Sequence, residues 1–221
     1  MEKTDYKKEM ILWVFLLLPL VYLAYVWNEL PGTVPIHFNA DGEANGWAGK
    51  ASEFIMTGTN LFVYFIMLSV RKIDPKKLND GFFTTNYFKL RVVLTVFLSV
   101  ICMMMIYIGL PGNEHMGVHW IPASVFLFLA VLGNFMINLK PNWFIGIRTP
   151  WTLSSDSVWK KTHQVGGRIF FYGGMICIIA SFLLKGAWMN GFMLTFILGS
   201  VVFLFGYSFW LFKQEQGKAG E

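Results

Sequence analysis

The chain has 221 residues, of which 55% are hydrophobic and only 14% are charged, and its net charge is +5. A soluble domain carries about 25% charged residues, so this composition predicts an integral membrane protein and excludes a disordered chain. Two cysteines in a chain of this length exclude a disulfide-stapled scaffold.

Six apolar runs predict membrane-spanning helices, because a span needs roughly 20 apolar residues to cross about 30 Å of hydrocarbon. The second run is the weakest, since Thr57, Thr59 and Asn60 lie in its first half. The six predicted spans cover approximately residues 10–27, 54–70, 92–110, 121–139, 169–184 and 189–212. The expected fold class is therefore an all-α membrane protein, a six-transmembrane helix bundle.

The Lys and Arg residues predict the orientation of this bundle. Of the 18 basic residues, only Lys50 and Lys185 fall outside the two terminal tails and the loops at 71–91 and 140–168. If all six runs cross the membrane, those four segments lie on the same side of it. That side is expected to be the cytoplasmic one, because Lys- and Arg-rich loops remain in the cytoplasm. Both termini are therefore expected on the cytoplasmic side of the membrane. Anionic lipid head groups are sufficient partners for the basic residues, and no direct contact with nucleic acid is expected.

The predicted spans contain no Asp, Glu, Lys, Arg or His, and this pattern disfavours an ion-coupled transporter or flippase. Their Asn, Ser and Thr side chains are expected to form hydrogen bonds between helices. Cys102 and Cys177 fall inside spans and are expected to be buried as small apolar residues without a redox role.

The loop between the first two spans, residues 28–53, is expected to be ordered and to lie outside the cell. Pro35 favours an extended piece at 34–38, and Asp41-Gly42 and Asn45-Gly46 are turn signals. Polar residues of this face could approach a metal ion. Their spacing matches no compact metal-binding signature, however, so no metal is expected. The residues considered for a metal site are His37, Asp41, Glu43, Glu114, His115 and His119.

The loop after the fourth span predicts a short cytoplasmic amphipathic helix at about 155–165. Ser154 or Ser155 suits its N-cap, and Asp156 suits its first turn. One interpretation is that this helix lies on the inner leaflet, with its Trp at the interface and its Lys residues toward lipid phosphates. The other is a single polar-aromatic site that binds a carboxylate or phosphate. The residues of that site are Arg148, Thr149, Trp151, Trp159, Thr162 and His163.

Two stretches of the chain resemble known families. The run LPGTVPIHFNADGEANGWAGK (30–50) resembles the signature of the DUF1648 module. The run NWFIGIRTPWTLSSDSVWKKTHQVGGRIF (142–170) resembles the signature of SdpI-type membrane proteins. The order and length match the two-part SdpI architecture, which predicts a DUF1648-like module at 1–90 and an SdpI-like module at 91–221.

This resemblance implies a non-enzymatic immunity protein of the bacterial membrane. Characterised members protect Gram-positive bacteria from a secreted killing peptide and are proposed to hold a transcriptional repressor at the membrane. The implied partners are thus membrane lipids, a toxin peptide and a cytoplasmic repressor, with no cofactor, no metal and no catalytic residue. Candidate extracytoplasmic binding residues are His37, Asn39, Asp41, Gly42 and Lys50. Candidate cytoplasmic binding residues are Arg148, Thr149, Pro150, Trp151, Trp159, Thr162 and His163.

An enzyme that modifies a lipid or isoprenoid phosphate at the inner leaflet is the alternative. In that hypothesis the phosphate is bound by Arg148, Thr149, Lys160 and His163, and His163 also serves as the acid or base. The sequence contains no G-x-S-x-G, H-E-x-x-H or P-loop pattern and no pair of acidic residues near this loop. A transporter is the third hypothesis.

Overall fold

The computed structural model describes residues 6–39, 41–73, 81–142 and 145–219, so Trp143 and Phe144 of the second signature lie outside the described residues. The long helices are α1 (Tyr6–Val26), α2 (Ser52–Ile73), α3 (Gly81–Ile108), α4 (Gly117–Met136), α6 (Asp156–Leu183) and α7 (Gly186–Ala219). The shorter elements are strands β1 (Thr33–Phe38) and β2 (Ala44–Gly49), a 3₁₀ turn at Glu114–Met116, and helix α5 (Pro150–Ser154).

Five of these helices, α1, α3, α4, α6 and α7, are long and apolar enough to cross a membrane. The prediction of a multi-pass helical membrane protein is confirmed at this level. Helix α2 has 22 residues, which is sufficient length, but it is less apolar because its first half carries the polar residues noted above. The count of six spans and the sidedness of the termini remain predictions.

The loop at 28–53 contains a small antiparallel β-hairpin, which corrects the all-α fold class. Strands β1 and β2 pair in the register Thr33↔Gly49 and Val34↔Ala48, and the register shifts after Pro35. The connecting turn contains Gly42 with a φ of 79°, a left-handed conformation that glycine adopts without steric cost. The predicted extended piece and the turn at Asp41-Gly42 were correct. The turn predicted at Asn45-Gly46 was wrong, because both residues lie in β2, a strand whose small residues give little apolar signal.

The predicted short helix at 155–165 is not a separate element. Ser155 is the N-cap, as expected, and its side chain accepts a hydrogen bond from the amide of Val158. From Asp156 the helix continues without interruption to Leu183, so the predicted loop helix and the fifth span form one 28-residue helix. Gly166 and Gly167 do not end it, because both are buried in packing contacts and remain helical. Trp159 is buried within the protein, which corrects the interpretation that places it at the lipid interface.

The chain divides into two compact units, with the division at Ser124/Val125 inside α4. The first unit holds α1, the hairpin, α2 and α3, and its apolar core includes Leu12, Leu16, Leu23 and Ile106. The second unit holds the rest of α4 with α5, α6 and α7, and its core includes Phe126, Cys177 and Met189. Both cysteines are buried thiols, as expected. The module boundary at 90/91 remains a prediction about family architecture.

Candidate functional site

In the second unit, the buried His163 ring ties the loop after α4 to helix α6. Its Nδ1 donates to the carbonyl of Trp159 at 2.8 Å, and its Nε2 accepts from the amide of Ile147 at 2.9 Å. These two bonds define a neutral ring with its proton on Nδ1. The ring also stacks on Trp159, with centroids 4.1 Å apart, and the Trp159 indole donates to the carbonyl of Leu139 at 2.8 Å. Both ring nitrogens are therefore occupied by the protein itself.

The loop that reaches His163 is shaped by one asparagine and one glycine. The Asn142 side chain accepts from the amide of Ile145 at 2.7 Å and donates to the Lys140 and Ile145 carbonyls. Gly146 has a φ of 114°, and a Cβ at this position would overlap the His163 ring. A side chain is therefore excluded at 146 on both backbone and packing grounds.

The threonines of the second signature cap helix α5. Thr149 and Thr152 form a reciprocal capping box, in which each side chain pairs with the backbone of the other. Pro150 occupies the first helical position, where its missing N–H leaves no intrahelical bond unmade. The Thr149 hydroxyl also lies 3.0 Å from that of Ser208, so it links α5 to α7.

The predicted cytoplasmic site residues therefore fall into two groups. The buried group has four members. Thr149, Trp159 and His163 form hydrogen bonds within the unit, whereas the Thr162 hydroxyl has no hydrogen-bond partner among the described residues. Arg148 and Pro150 are exposed, and Trp151 is half-buried against the rings of Phe205 and Phe209. The structure joins Trp159 to His163, and it leaves Arg148 without an ion pair or hydrogen bond among the residues that it describes.

Replacing His163 by Ala is expected to lower the free energy of unfolding by about 2–4 kcal/mol. The change leaves the Ile147 amide without its acceptor and opens a cavity beside Trp159. Chemical or thermal unfolding of the purified protein in detergent measures the loss. The exposed neighbour Lys161, changed to Ala, is the matched control and should stay within about 0.5 kcal/mol of wild type. Equal stability of the two variants would contradict a structural role for this ring.

In the first unit, Asn39 and Gly42 build the turn of the hairpin. The Asn39 side-chain oxygen accepts from the amides of Asp41 and Glu43, both at 2.9 Å, and its nitrogen donates to the Glu43 carboxylate. A Cβ at Gly42 would overlap the Val118 side chain, which lies against the turn. Asp41 is exposed beside these residues.

His37 and Lys50, the other predicted residues of this face, differ in accessibility. His37 is exposed, and its Nδ1 lies 2.5 Å from the Asn45 side-chain oxygen. The Lys50 ammonium donates to the Trp27 carbonyl at 3.1 Å and lies 4.4 Å from the centroid of the Trp27 ring. In the described part of the chain, no three His, Cys, Asp or Glu side chains are grouped to hold a metal ion.

The first unit contains a buried polar seam whose charged members were not predicted from the sequence. Its side chains recur at helical spacing on facing sides of two helices, and its Asn60–Ser99 hydrogen bond is of the interhelical kind expected from the sequence. They are Glu53, Thr57, Asn60 and Tyr64 on α2, and Arg91, Thr95, Ser99 and Cys102 on α3. Two members of the polar seam, Glu53 and Arg91, are ionisable and buried, although the predicted spans themselves contain no such residue. Glu53 and Arg91 each lie one residue outside a predicted span, and the helices extend past the predicted ends.

Hydrogen bonds and an ion pair join most of this polar seam. The Arg91 guanidinium pairs with the Glu9 carboxylate of α1, which also accepts from the Tyr64 hydroxyl at 2.7 Å. Near the middle, the Asn60 amide donates to the Ser99 hydroxyl at 2.9 Å. At the end nearest the hairpin, Glu53 is only 2% exposed, and its Oε2 has no hydrogen-bond partner among the described residues.

Comparison with known proteins confirms the resemblance noted in the two signature runs. Residues 138–207 match the SdpI/YfhL protein family, and residues 14–60 match DUF1648, a domain of unknown function. The chain is also similar to the immunity protein SdpI of Bacillus subtilis (strain 168), with 24% identity over 213 residues. That match covers 96% of this chain and 99% of the relative. No solved structure matches the chain.

Proposed function

We propose that this chain is an immunity-type protein of the bacterial cytoplasmic membrane that binds a secreted antimicrobial peptide and so protects the membrane. The observation that carries the proposal is the similarity to an immunity protein over nearly the full length of both chains. The DUF1648 and SdpI segments therefore occur together in this chain, in the order that the two-part architecture requires. Peptide binding, signalling and repressor sequestration all belong to the proposal.

The proposed arrangement has six helices across the membrane, with both termini in the cytoplasm. The distribution of basic residues supports this arrangement, and the 22-residue length of α2 is compatible with a sixth crossing. The hairpin then faces outward and the 142–168 segment faces inward. The modules at 1–90 and 91–221 would accordingly contribute the outer and the inner recognition surface.

The hairpin carries a surface suited to an amphipathic peptide. Ile36 and Trp47 expose 49% and 54% of their surface, and His37 and Asp41 are exposed on the same hairpin. Aromatic and apolar side chains supply contact area in peptide recognition, while neighbouring polar groups fix the orientation of the ligand. An exposed, ordered hairpin therefore supports a binding role for the outer face.

The second unit carries exposed basic side chains that suit anionic partners. They are Arg148, Lys160, Lys161 and Arg168. Anionic lipid head groups are attracted to such a surface at the inner leaflet. We further propose that a cytoplasmic transcriptional repressor docks here when the outer face is occupied, with Arg148 as a principal contact because its guanidinium has no partner among the described residues.

Protection of a sensitive bacterium tests this proposal. The protein is expressed in a strain without a homologue, and growth is measured against a panel of membrane-active killing peptides. Wild type is expected to raise the inhibitory concentration of its cognate peptide, and His37→Ala is expected to lose most of that protection. Arg148→Ala should retain protection and lose induction of a repressor-controlled reporter, because it lies on the inner face.

Controls for this assay come from exposed residues of the same surfaces. Thr33→Ala on the hairpin and Lys161→Ala on α6 should behave as wild type, with all variants compared at equal membrane levels. Absence of protection by correctly inserted wild type against every peptide would overturn the immunity proposal. Full protection by His37→Ala would remove this residue from the binding surface.

The bonding of His163 also favours binding over catalysis at the inner leaflet. A general acid or base must reach the substrate, whereas both nitrogens of this buried ring are bound to the backbone. Loss of function in His163→Ala would therefore not distinguish a folding defect from the loss of a catalytic group. Turnover of a lipid or isoprenoid phosphate by the purified protein is the result that would revive the enzyme hypothesis.

A further inference from the structure

Three buried oxygens on α2 lack a hydrogen-bond partner among the described residues. They are Ser52 Oγ, Glu53 Oε2 and Asn60 Oδ1. Buried polar atoms are nearly always paired, and a buried carboxylate without a donor or counter-charge is strongly disfavoured. Among the described residues, the Glu53 end of the polar seam therefore has no positively charged or hydrogen-donating partner.

No cation of the first unit that the structure describes fills this role. The Lys50 ammonium, one helical turn before Glu53, is bound to the Trp27 carbonyl and lies over its ring. Arg91 pairs with Glu9 near Tyr64, which follows Glu53 by eleven residues on α2. At 1.5 Å per residue, that separation is roughly 16 Å along the helix, too far for a direct ion pair.

We propose that the Glu53 end of the polar seam binds a small monovalent cation, either a proton or an alkali metal ion. The near-complete burial of the Glu53 side chain excludes a bulky organic ammonium group as the occupant. Ionisable groups inside membrane proteins generally mark ion or proton sites. This site goes beyond the proposed immunity function and does not depend on it.

Arg91 makes the polar seam a binding site rather than a conducting path. Its guanidinium is 4% exposed and lies at the opposite end of the row of polar side chains. A cation that moved from Glu53 past Asn60 would meet a guanidinium that already neutralises Glu9, so no free carboxylate is offered to it at that end. The bound cation therefore stops before Arg91.

The position of Glu53 connects occupancy to the hairpin. Glu53 lies in the first turn of α2, and its amide donates to the Lys50 carbonyl at 3.2 Å. The Lys50 amide in turn donates to the Gly32 carbonyl at 3.0 Å, at the base of the hairpin. A cation at Glu53 would offset the desolvation free energy of a buried, unpaired carboxylate. It would thereby stabilise the connection between the hairpin and α2.

Other titratable groups at this end of the first unit must be separated from Glu53. Cys102 of α3 interacts electrostatically with Glu53, and Lys50 precedes it on the chain. Tyr22 interacts electrostatically with Tyr107 and with Glu29 in the same unit. Because all of these remain in a Glu53 variant, the difference from wild type reports Glu53 alone.

Thermal unfolding of the purified full-length protein tests the cation site. The Tm is measured in lithium, sodium, potassium and N-methylglucamine chloride at constant ionic strength, and each series is repeated over a range of pH. An alkali ion site raises the Tm of wild type by several degrees above that in N-methylglucamine. A proton site instead raises the Tm as the pH falls, equally in all salts. Either dependence should vanish in Glu53→Gln and persist in the exposed hairpin variant Glu43→Gln.

Identical cation and pH dependence in wild type and Glu53→Gln would overturn the proposal. If Glu53→Gln does not fold, Glu53→Asp is measured instead. Aspartate keeps the carboxylate, but its side chain is shorter by one methylene, so the charge lies farther from the site. The cation midpoint of this variant is expected to weaken about tenfold, and an unchanged midpoint contradicts the assignment. Proteoliposomes that hold a sodium or proton gradient should show no flux above empty vesicles, and a measurable flux would contradict the stop at Arg91.

Discussion

Replacing Arg91 by Met is expected to lower the free energy of unfolding by about 3–5 kcal/mol, because the partly buried Glu9 carboxylate loses its counter-charge. The Arg91 guanidinium is almost fully buried, pairs with Glu9 and lies 5.3 Å from the centroid of the Tyr64 ring. Its removal also leaves the Tyr64 hydroxyl bonded to an uncompensated charge. Unfolding of the purified protein in mild detergent, monitored by circular dichroism, measures the loss.

The double variant Glu9→Gln, Arg91→Met separates the ion pair from simple packing. It removes both charges together and should recover most of the stability, since a buried pair contributes little net energy over an apolar replacement. The exposed Arg148, changed to Met, is the matched control and should leave the Tm unchanged. A loss below about 0.5 kcal/mol in Arg91→Met would show that the pair is not buried as described.

Changing Gly167 to Ala is expected to destabilise the second unit by about 1–3 kcal/mol, because helices α4 and α6 approach there backbone to backbone. A Cβ at position 167 would lie 2.6 Å from the Gly133 carbonyl oxygen and 2.7 Å from an Ile137 side-chain carbon. A Cβ at Gly133 would meet the Gly167 carbonyl at the same distance. Main-chain atoms cannot relieve the overlap by a change of rotamer, as a flexible side chain can, so the two helices must move apart.

The same substitution in α7 provides the control for this prediction. A Cβ at Gly199 or Gly206 would meet no atom within 4 Å. Alanine has the higher helix propensity, so these variants should be neutral or up to about 1 kcal/mol more stable than wild type. Comparing the Tm of all three variants measures the effect. A similar Tm for Gly167→Ala and Gly199→Ala would contradict the close contact between α4 and α6.

The second signature is in large part a folding motif. Gly146, Thr149, Trp159 and His163 are used to hold the loop after α4 against α5, α6 and α7. The sequence predicts ligand contacts for Thr149, Trp159 and His163, and that remains a prediction, because a polar and aromatic cluster has the same sequence pattern in either role. Among the predicted binding residues of this signature, Arg148 is exposed and charged, so its charge is available to a partner.

The helix ends were the least predictable feature of the fold. Hydropathy places each span where the apolar run begins and ends, whereas the backbone continues to form helix as long as its hydrogen bonds and packing are satisfied. Helix α6 thus extends through Gly166 and Gly167, and α3 begins eleven residues before its predicted span. For the same reason Glu53 and Arg91 were assigned to loops.

The sequence by itself determined the class of protein, the positions of the long helices, the ordered hairpin segment and the family resemblance. These follow from composition, apolar run length, turn residues and local motifs, all of which are properties of neighbouring residues. Only the tertiary structure decided which polar residues are buried, which glycines lie in helix contacts, and that His163 bonds to the backbone of Ile147. Those features depend on which faces of distant helices meet, and that depends on packing between residues far apart in the chain.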